Sequence, residues 1–198
     1  GHPKASPATY TLAAGDYTVT VGYGGNQRDG AAPTADGKGG NSEFYPTPAS
    51  YPDAAFIRGT GGGGGGYAWT GTGIDGGSGG GGGANSGPGN VDGGAATTDP
   101  NHPQPQGNDG GQGHHNPGST IGFGGGGGWK EAGSSITSGS EGGKGGQGLE
   151  ISEDMWGPIG PMTYGAQGNP TQPAYCFAGG GGGGGGANSG GRGGDAPP

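Results

Sequence analysis

The sequence predicts an irregular fold with almost no α-helix: a bundle of packed polyglycine II helices with a short N-terminal β-hairpin cap and projecting loops. Three observations predict it. Glycine fills 63 of 198 positions, while hydrophobic residues make up only 25%. The glycines gather into uninterrupted runs at residues 61–66, 79–83, 124–128 and 179–186. Two further series, Gly73, Gly76, Gly79, Gly82 and Gly139, Gly142, Gly145, Gly148, place glycine at every third residue.

A core of Leu, Ile and Val cannot be built from this composition, which taken alone suggests low complexity or disorder. Ordered polyglycine has a dense alternative. It is an extended left-handed helix of three residues per turn, without internal hydrogen bonds. Its N–H and C=O groups project sideways and must be paired by neighbouring strands of the same kind. Without side chains these helices lie almost touching, for the steric reason that places glycine at the collagen axis. Collagen itself is excluded, because the glycine spacing is irregular and proline does not follow it.

Fixing one backbone residue costs about 1–2 kcal/mol. A net hydrogen bond returns about 0.5–1.5 kcal/mol, and a close Cα–H···O contact about 0.5–1. A lone run therefore stays disordered, whereas several side by side break even and apolar caps supply the margin.

The length fits one domain, residues 1–198, with Pro-containing tethers at 1–8 and 195–198. Net charge is −8 with seven scattered Lys and Arg, which argues against nucleic acid or anionic lipid as partner. Cys176 is the single cysteine, so an intrachain disulfide or cysteine cluster is excluded. It is expected to be a buried, inert thiol. No apolar stretch reaches the roughly 20 residues of a membrane helix. The chain opens on Gly1 rather than Met, so residues upstream are expected to have been removed or left out.

In chain order, the first element is the hairpin. Thr9 to Leu12 and Tyr17 to Val21 alternate apolar and polar residues around Ala13-Ala14-Gly15-Asp16. Tyr17, Val19 and Val21 share one face, and short strands are expected only here. Beyond it, glycine-rich segments alternate with inserts. Residues 43–57 carry Phe44, Tyr45, Tyr51 and Phe56; residues 67–70 carry Trp69; residues 97–117 carry His102, His114 and His115. Residues 129–136 carry Trp129 and Lys130, and residues 149–177 carry Met155, Trp156, Met162, Tyr164, Tyr175 and Phe177. Breakers are too frequent for a helix in any of them.

The segment Gly-Gly-Gly-Gly-Gly-Ala-Asn-Ser-Gly occurs at 79–87 and again at 182–190. Each copy follows a Gly-Lys-Gly-Gly-amide element, at 37–41 and 143–147, with an aromatic insert between. Two pseudo-repeats, about 9–95 and 119–194, are expected.

The stretches Tyr17-Thr-Val-Thr-Val-Gly-Tyr-Gly-Gly25 and Gly37-Lys-Gly-Gly-Asn-Ser-Glu-Phe44, then a glycine run, resemble the glycine-rich domain of bacteriophage tail-fibre proteins. Gly145-Gly-Gln-Gly-Leu149, leading to Tyr175-Cys-Phe-Ala-Gly-Gly180, is similar to the later part of that domain. The architecture also resembles the adhesins at the tips of T-even-type long tail fibres. The resemblance covers about Thr9 to Gly194. It implies a polyglycine II core displaying variable loops that bind a bacterial surface. The chain departs from those adhesins in showing no evident fibre-attachment domain before Pro7.

Other chemistry finds little support in the residues. His114 and His115, with His102 or Asp109, suggest a metal, but adjacent histidines in extended chain point apart, and an exposed polar loop is the reading preferred. The Asp-Gly pairs at Asp29, Asp36, Asp75, Asp92 and Asp109 lack EF-hand spacing and read as turn chemistry. No phosphate-binding loop or hydrolase triad is recognisable. Aromatics beside glycine runs, namely Tyr10, Tyr17, Phe44, Phe56, Phe123 and Phe177, are expected as caps. Those within inserts, Tyr51, Trp69, Trp129, Trp156 and Tyr164, are the candidate receptor-binding residues, since aromatics on rigid loops make binding anchors.

The expected function is a non-enzymatic extracellular recognition module without cofactor or metal, a phage tail-fibre adhesin whose partner is a bacterial cell-surface protein or glycan. A structural subunit of an extracellular filament, self-associating or joined to a fibre shaft, is the alternative. An ice-binding protein is a third reading, disfavoured because regularly spaced threonines are lacking.

Overall fold

Backbone hydrogen bonding, rather than side-chain burial, organises this chain. The computed structural model describes residues 13–26, 37–47, 57–67, 71–84, 88–98, 105–116, 120–137, 141–151, 166–167, 175–177, 179–180 and 183. Among these residues there is no α-helix, and nine short strands form three three-stranded sheets in which every pairing is antiparallel. The near absence of helix agrees with the sequence reading. Strands are not confined to the N-terminal region, however.

The first sheet has the order β1 (Tyr17–Thr20), β2 (Ser42–Pro46), β3 (Ile57–Gly59). The β-branched run of β1 pairs with β2 in the register Tyr17↔Pro46 to Thr20↔Glu43. Tyr17 stacks on Phe44 one diagonal step away, with ring centroids 4.9 Å apart and planes 3° from parallel. On the opposite face Arg58 bridges to Glu43, its register partner, at 2.8 Å. Val19 and Val21 are 67% and 83% exposed, so the apolar face expected from Tyr17, Val19 and Val21 is covered only at Tyr17. The other arm of the predicted hairpin, with Tyr10 and Leu12, lies outside the described residues, as does Phe56.

The second sheet joins β4 (Gly89–Val91), β5 (Gly113–Asn116) and β6 (Thr120–Gly122) in that order. In the third, β9 (Tyr175–Phe177) lies between β7 (Leu149–Ile151) and β8 (Ala166–Gln167). Cys176 sits on this central strand, opposite Glu150 on one side and Ala166 on the other.

Between the sheets run extended segments whose backbone donors recur every third residue. Gly71, Ile74 and Gly77 donate to Tyr67, Gly64 and Gly61 at 3.2, 2.8 and 2.9 Å. Gly79 and Gly82 donate to Asn108 and Gly111; Gly80 and Gly83, one phase later, donate to Ile74 and Gly71. Gly124 and Gly127 return bonds to Gly82 and Gly79. The same step carries Gly133 and Ile136 onto Asp109 and Gln112, and Gly180 and Gly183 onto Gly146 and Gly143. The run 79–83 lies at the centre and is buried throughout.

Steric room explains the composition of that centre. A Cβ on Gly79, Gly80, Gly81, Gly82 or Gly83 would lie under 3 Å from the backbone oxygen of Gly94, Gly64, Gly124, Val91 or Tyr67 respectively. Successive positions thus face different neighbouring segments, so none tolerates a side chain. Ala84 and Val91 are the buried apolar side chains among the described residues. Of the aromatics expected as caps, Tyr17, Phe44 and Phe123 are half-buried.

Two inserts expected to project are instead woven into this network. Residues 106–112 and 131–136 contribute backbone bonds like those of the glycine runs. Their side chains Asp109, Ser134 and Ser135 take outward positions. Only the inward positions must be small, so glycine content alone marks the network incompletely. The Asp-Gly pairs at Asp75, Asp92 and Asp109 likewise lie in extended chain rather than turns. Asp75 Oδ1 accepts from the N–H of Ala95 at 2.6 Å and Asp109 Oδ1 from that of Ala96 at 2.7 Å. Asp29 and Asp36 lie outside the described residues.

Gln106 ties the first sheet to the glycine segments. Its Oε1 accepts from Thr60 N at 2.7 Å, and its Nε2 donates to the carbonyl of Arg58 at 2.7 Å. One side-chain amide thereby supplies both halves of a backbone pairing.

Substitution at the centre and at the margin should separate enclosure from mere glycine richness. Gly81→Val is expected to destabilise by about 1–3 kcal/mol or more through overpacking. Gly62→Ala, whose Cβ would meet nothing within 4 Å, is expected to leave stability unchanged or raise it by about 0.4–1 kcal/mol. Denaturant melts of both variants check this, and equal destabilisation would contradict the enclosure.

Candidate functional site

Loops attached to paired strands are where this architecture can present side chains. β2 and β3 are antiparallel partners, and the chain between them carries Tyr51. β7 and β9 are likewise paired, and the chain between β7 and β8 carries Trp156 and Tyr164. The strands fix where these loops leave and re-enter the sheets. Tyr51, Trp69, Trp156 and Tyr164 themselves lie outside the described residues.

Trp129 is the candidate whose surroundings are defined. Glycine residues 124–128 run antiparallel to residues 131–134. Gly125 donates to Ser134 at 3.1 Å, and Gly128 to Glu131 at 2.9 Å. Trp129 and Lys130 are therefore the two residues of a tight reversal, rather than part of a long projecting insert. Asn108 holds this reversal from a third segment. Its Nδ2 donates to the carbonyls of Gly128 and Trp129, at 2.9 Å each, while its own N–H donates to Gly128. Lys130 N donates to Gln147 at 2.9 Å. The indole is half-buried, and the Lys130 side chain beside it is exposed. An aromatic on so constrained a backbone loses little entropy on making a contact.

The histidine pair occupies a different setting from the polar loop expected. Both residues lie in β5, the central strand of the second sheet, and point to opposite faces. His115, 7% exposed, faces the same side as Val91 and Ile121. His114 Nδ1 lies 2.7 Å from Oδ1 of Asn90, its register partner. The pair cannot close on one ion from opposite faces. Among the described residues no group of three or more His, Cys, Asp or Glu is placed to hold a metal. His102 lies outside them. Also among the described residues, no helix is long and apolar enough to cross a membrane.

Trp129 is a candidate by residue type alone, whereas the sequence does not single out Asn108 and Gln106, the amides that anchor its reversal and the end of β3. The signal was present in weak form: both are polar residues set inside glycine-rich chain. Removing the double donation with Asn108→Ala is expected to cost about 1–3 kcal/mol, two hydrogen bonds of about 0.5–1.5 kcal/mol each, read as a lowered denaturation midpoint. A comparison with protein families, with curated proteins and with solved structures finds no match to this chain.

Proposed function

We propose that the extended glycine-rich segments are polyglycine II helices packed side by side, and that the whole is a scaffold for recognition loops. On this reading the chain is a non-enzymatic extracellular module, a phage tail-fibre adhesin that binds a bacterial surface protein or glycan. The observation that carries the scaffold half is the threefold phase of the backbone bonds. Donors at 79 and 82 reach one neighbour, and donors at 80 and 83 reach another. That is the periodicity of a helix with three residues per turn and no internal bonds.

The functional half rests on where side chains are permitted. The interior run excludes even a methyl group, so it offers no side-chain chemistry. Large amphipathic residues occur at reversals such as Trp129 and in loops based on β2–β3 and β7–β9. The tail-fibre resemblance of residues 17–25 and 37–44 supplies the biological setting.

A second reading draws on the first sheet. Val19, Val21 and Tyr23 are 67%, 83% and 74% exposed along one stretch of chain. An apolar edge of that kind suits stacking of subunits into an extracellular filament. Electron microscopy of the purified chain distinguishes discrete particles from filaments.

Attachment and melting should be measured on one preparation of the Tyr51→Ala, Trp156→Ala double variant. Binding to the target cell is expected to fall tenfold or more, about 1.4 kcal/mol, with the melting temperature nearly unchanged. Loss of stability in proportion to loss of binding would make these residues caps and favour the filament subunit.

A further inference from the structure

The direction of each glycine-rich segment follows from which residues are bonded at successive steps. Take Gly79 to Gly83 as pointing up. Residues 63–66 are parallel to it, since Gly63 donates to Ser78 and Gly66 to Gly81. Residues 108–111 are parallel as well, accepting from Gly79 and Gly82. Gly124 and Gly127 donate to Gly82 and Gly79, so that run points down. Gly143 and Gly146 donate to Phe123 and Gly126 and also run down, while Gly180 and Gly183 return upward beside them. Two of the sheets continue these ladders without a slip. Ser42 pairs with Gly59 where Gly39 donates to Gly62, and Leu149 pairs with Phe177 where Gly180 donates to Gly146.

These directions sort the connections by end. β2 runs down and β3 runs up, so the chain between them, which carries Tyr51, leaves and returns at the lower end. β7 and β9 meet the same condition, with Ile151 opposite Tyr175, and the chain between them carries Trp156 and Tyr164. The reversal at Trp129 and Lys130 joins descending 124–128 to ascending 131–134 and lies at that end too. Lys130 N donates to Gln147, two residues before β7, so the reversal abuts the base of the third sheet. The upper end is different. The connections 67–71, 84–88, 116–120 and 137–141 lie there and are short, and 26–37, between β1 and β2, holds no aromatic residue. Trp69 is carried between Tyr67 and Gly71, hence at the upper end and apart from the other four candidates.

We propose that the lower end, bearing Trp129 and Lys130, is the recognition face, and that its partner is a folded protein on the bacterial surface. The inference rests on the adhesin reading and deepens it, naming the end that binds and the class of molecule bound. Trp129, half-buried, and Lys130, exposed, are its described residues. Segments 79–83 and 124–128 stand between the bases of the first and third sheets. At the spacing of hydrogen-bonded extended chains those bases lie up to about 15 Å apart. A partner that engages both must present a surface of that width, as a folded protein does and a lone sugar ring does not. Trp and Tyr are the anchors that dominate such interfaces. An acidic surface polysaccharide is disfavoured, because the chain carries a net charge of −8 and like charges oppose association.

The test uses the full chain, fluorescently tagged, on intact cells of a panel of bacterial strains, with the melting temperature of every variant taken on the same preparation. Lys130→Glu keeps the backbone bonds of the reversal and is expected to lower adhesion about tenfold with melting unchanged. Trp129→Ala is expected to lower adhesion at least as much. Thr137→Glu places a carboxylate at an exposed position of the upper end and should leave both adhesion and melting as they were. Protease treatment of the cells should abolish adhesion, and periodate oxidation of their surface sugars should not. Equal losses from Lys130→Glu and Thr137→Glu, or full adhesion by Lys130→Glu and Trp129→Ala, overturn the lower end as the recognition face. Adhesion that survives protease and is lost to periodate overturns the choice of a protein partner. Failure of the parent chain to adhere to any strain overturns the adhesin reading itself, and this face with it.

Discussion

The absence of Cβ atoms at inward positions is the constraint on which everything else in this chain depends. Close approach of backbones lets Gly79 to Gly83 bond to several neighbours at once, each residue turned toward a different segment. Dispersion contacts between backbone atoms then substitute for those that a Leu-rich interior would supply. Ala84 and Val91 are the buried apolar side chains of the described region, and both adjoin the glycine centre rather than forming a separate core. Stability of this kind is collective, because removing one segment strips bonds from all the segments around it.

Such packing creates an edge problem. Among the described residues, several N–H groups at the margin meet a side-chain acceptor in place of a backbone carbonyl. Small polar side chains fill the role, placed on the adjoining segment rather than on the same one. Asn41, Asp75, Asp109 and Ser135 each accept one backbone N–H in this way, and Gln106 both accepts and donates. The Asn, Asp, Ser and Gln scattered through the glycine-rich stretches therefore act as terminations of the hydrogen-bond network. A reading of Asp-Gly as turn chemistry overlooks this, because the acceptor serves a residue about 13–20 positions away rather than its own turn.

The non-helical character was legible because composition leaves few alternatives. Tyr17 to Thr20 was legible as a strand from its alternation of β-branched and aromatic residues. The strands at Gly113 to Asn116 and Leu149 to Ile151 were not, since three or four residues are too few to show a period. His115 is buried because β5 is central in its sheet, a fact of pairing that the local sequence Gly-His-His-Asn does not contain. Residues 131–136 looked like an insert because they hold little glycine. Only Gly133 needs to be small there, with a Cβ that would meet Gly125, and the remaining residues face outward or sit at the margin. For the candidate site, Trp129 could be picked from its residue type, whereas the clamp by Asn108 depends on a segment about 20 residues upstream.

A scaffold built this way separates two kinds of sequence change. Interior positions are fixed by sterics that admit glycine alone, so variation there meets an immediate penalty from several neighbours. Reversals such as Trp129-Lys130 are tied to the core chiefly through backbone bonds. Side chains at those positions can be exchanged without altering the pattern of donors and acceptors beneath them. The proposed adhesin role uses that property directly, because a recognition surface must be replaceable while its support is not.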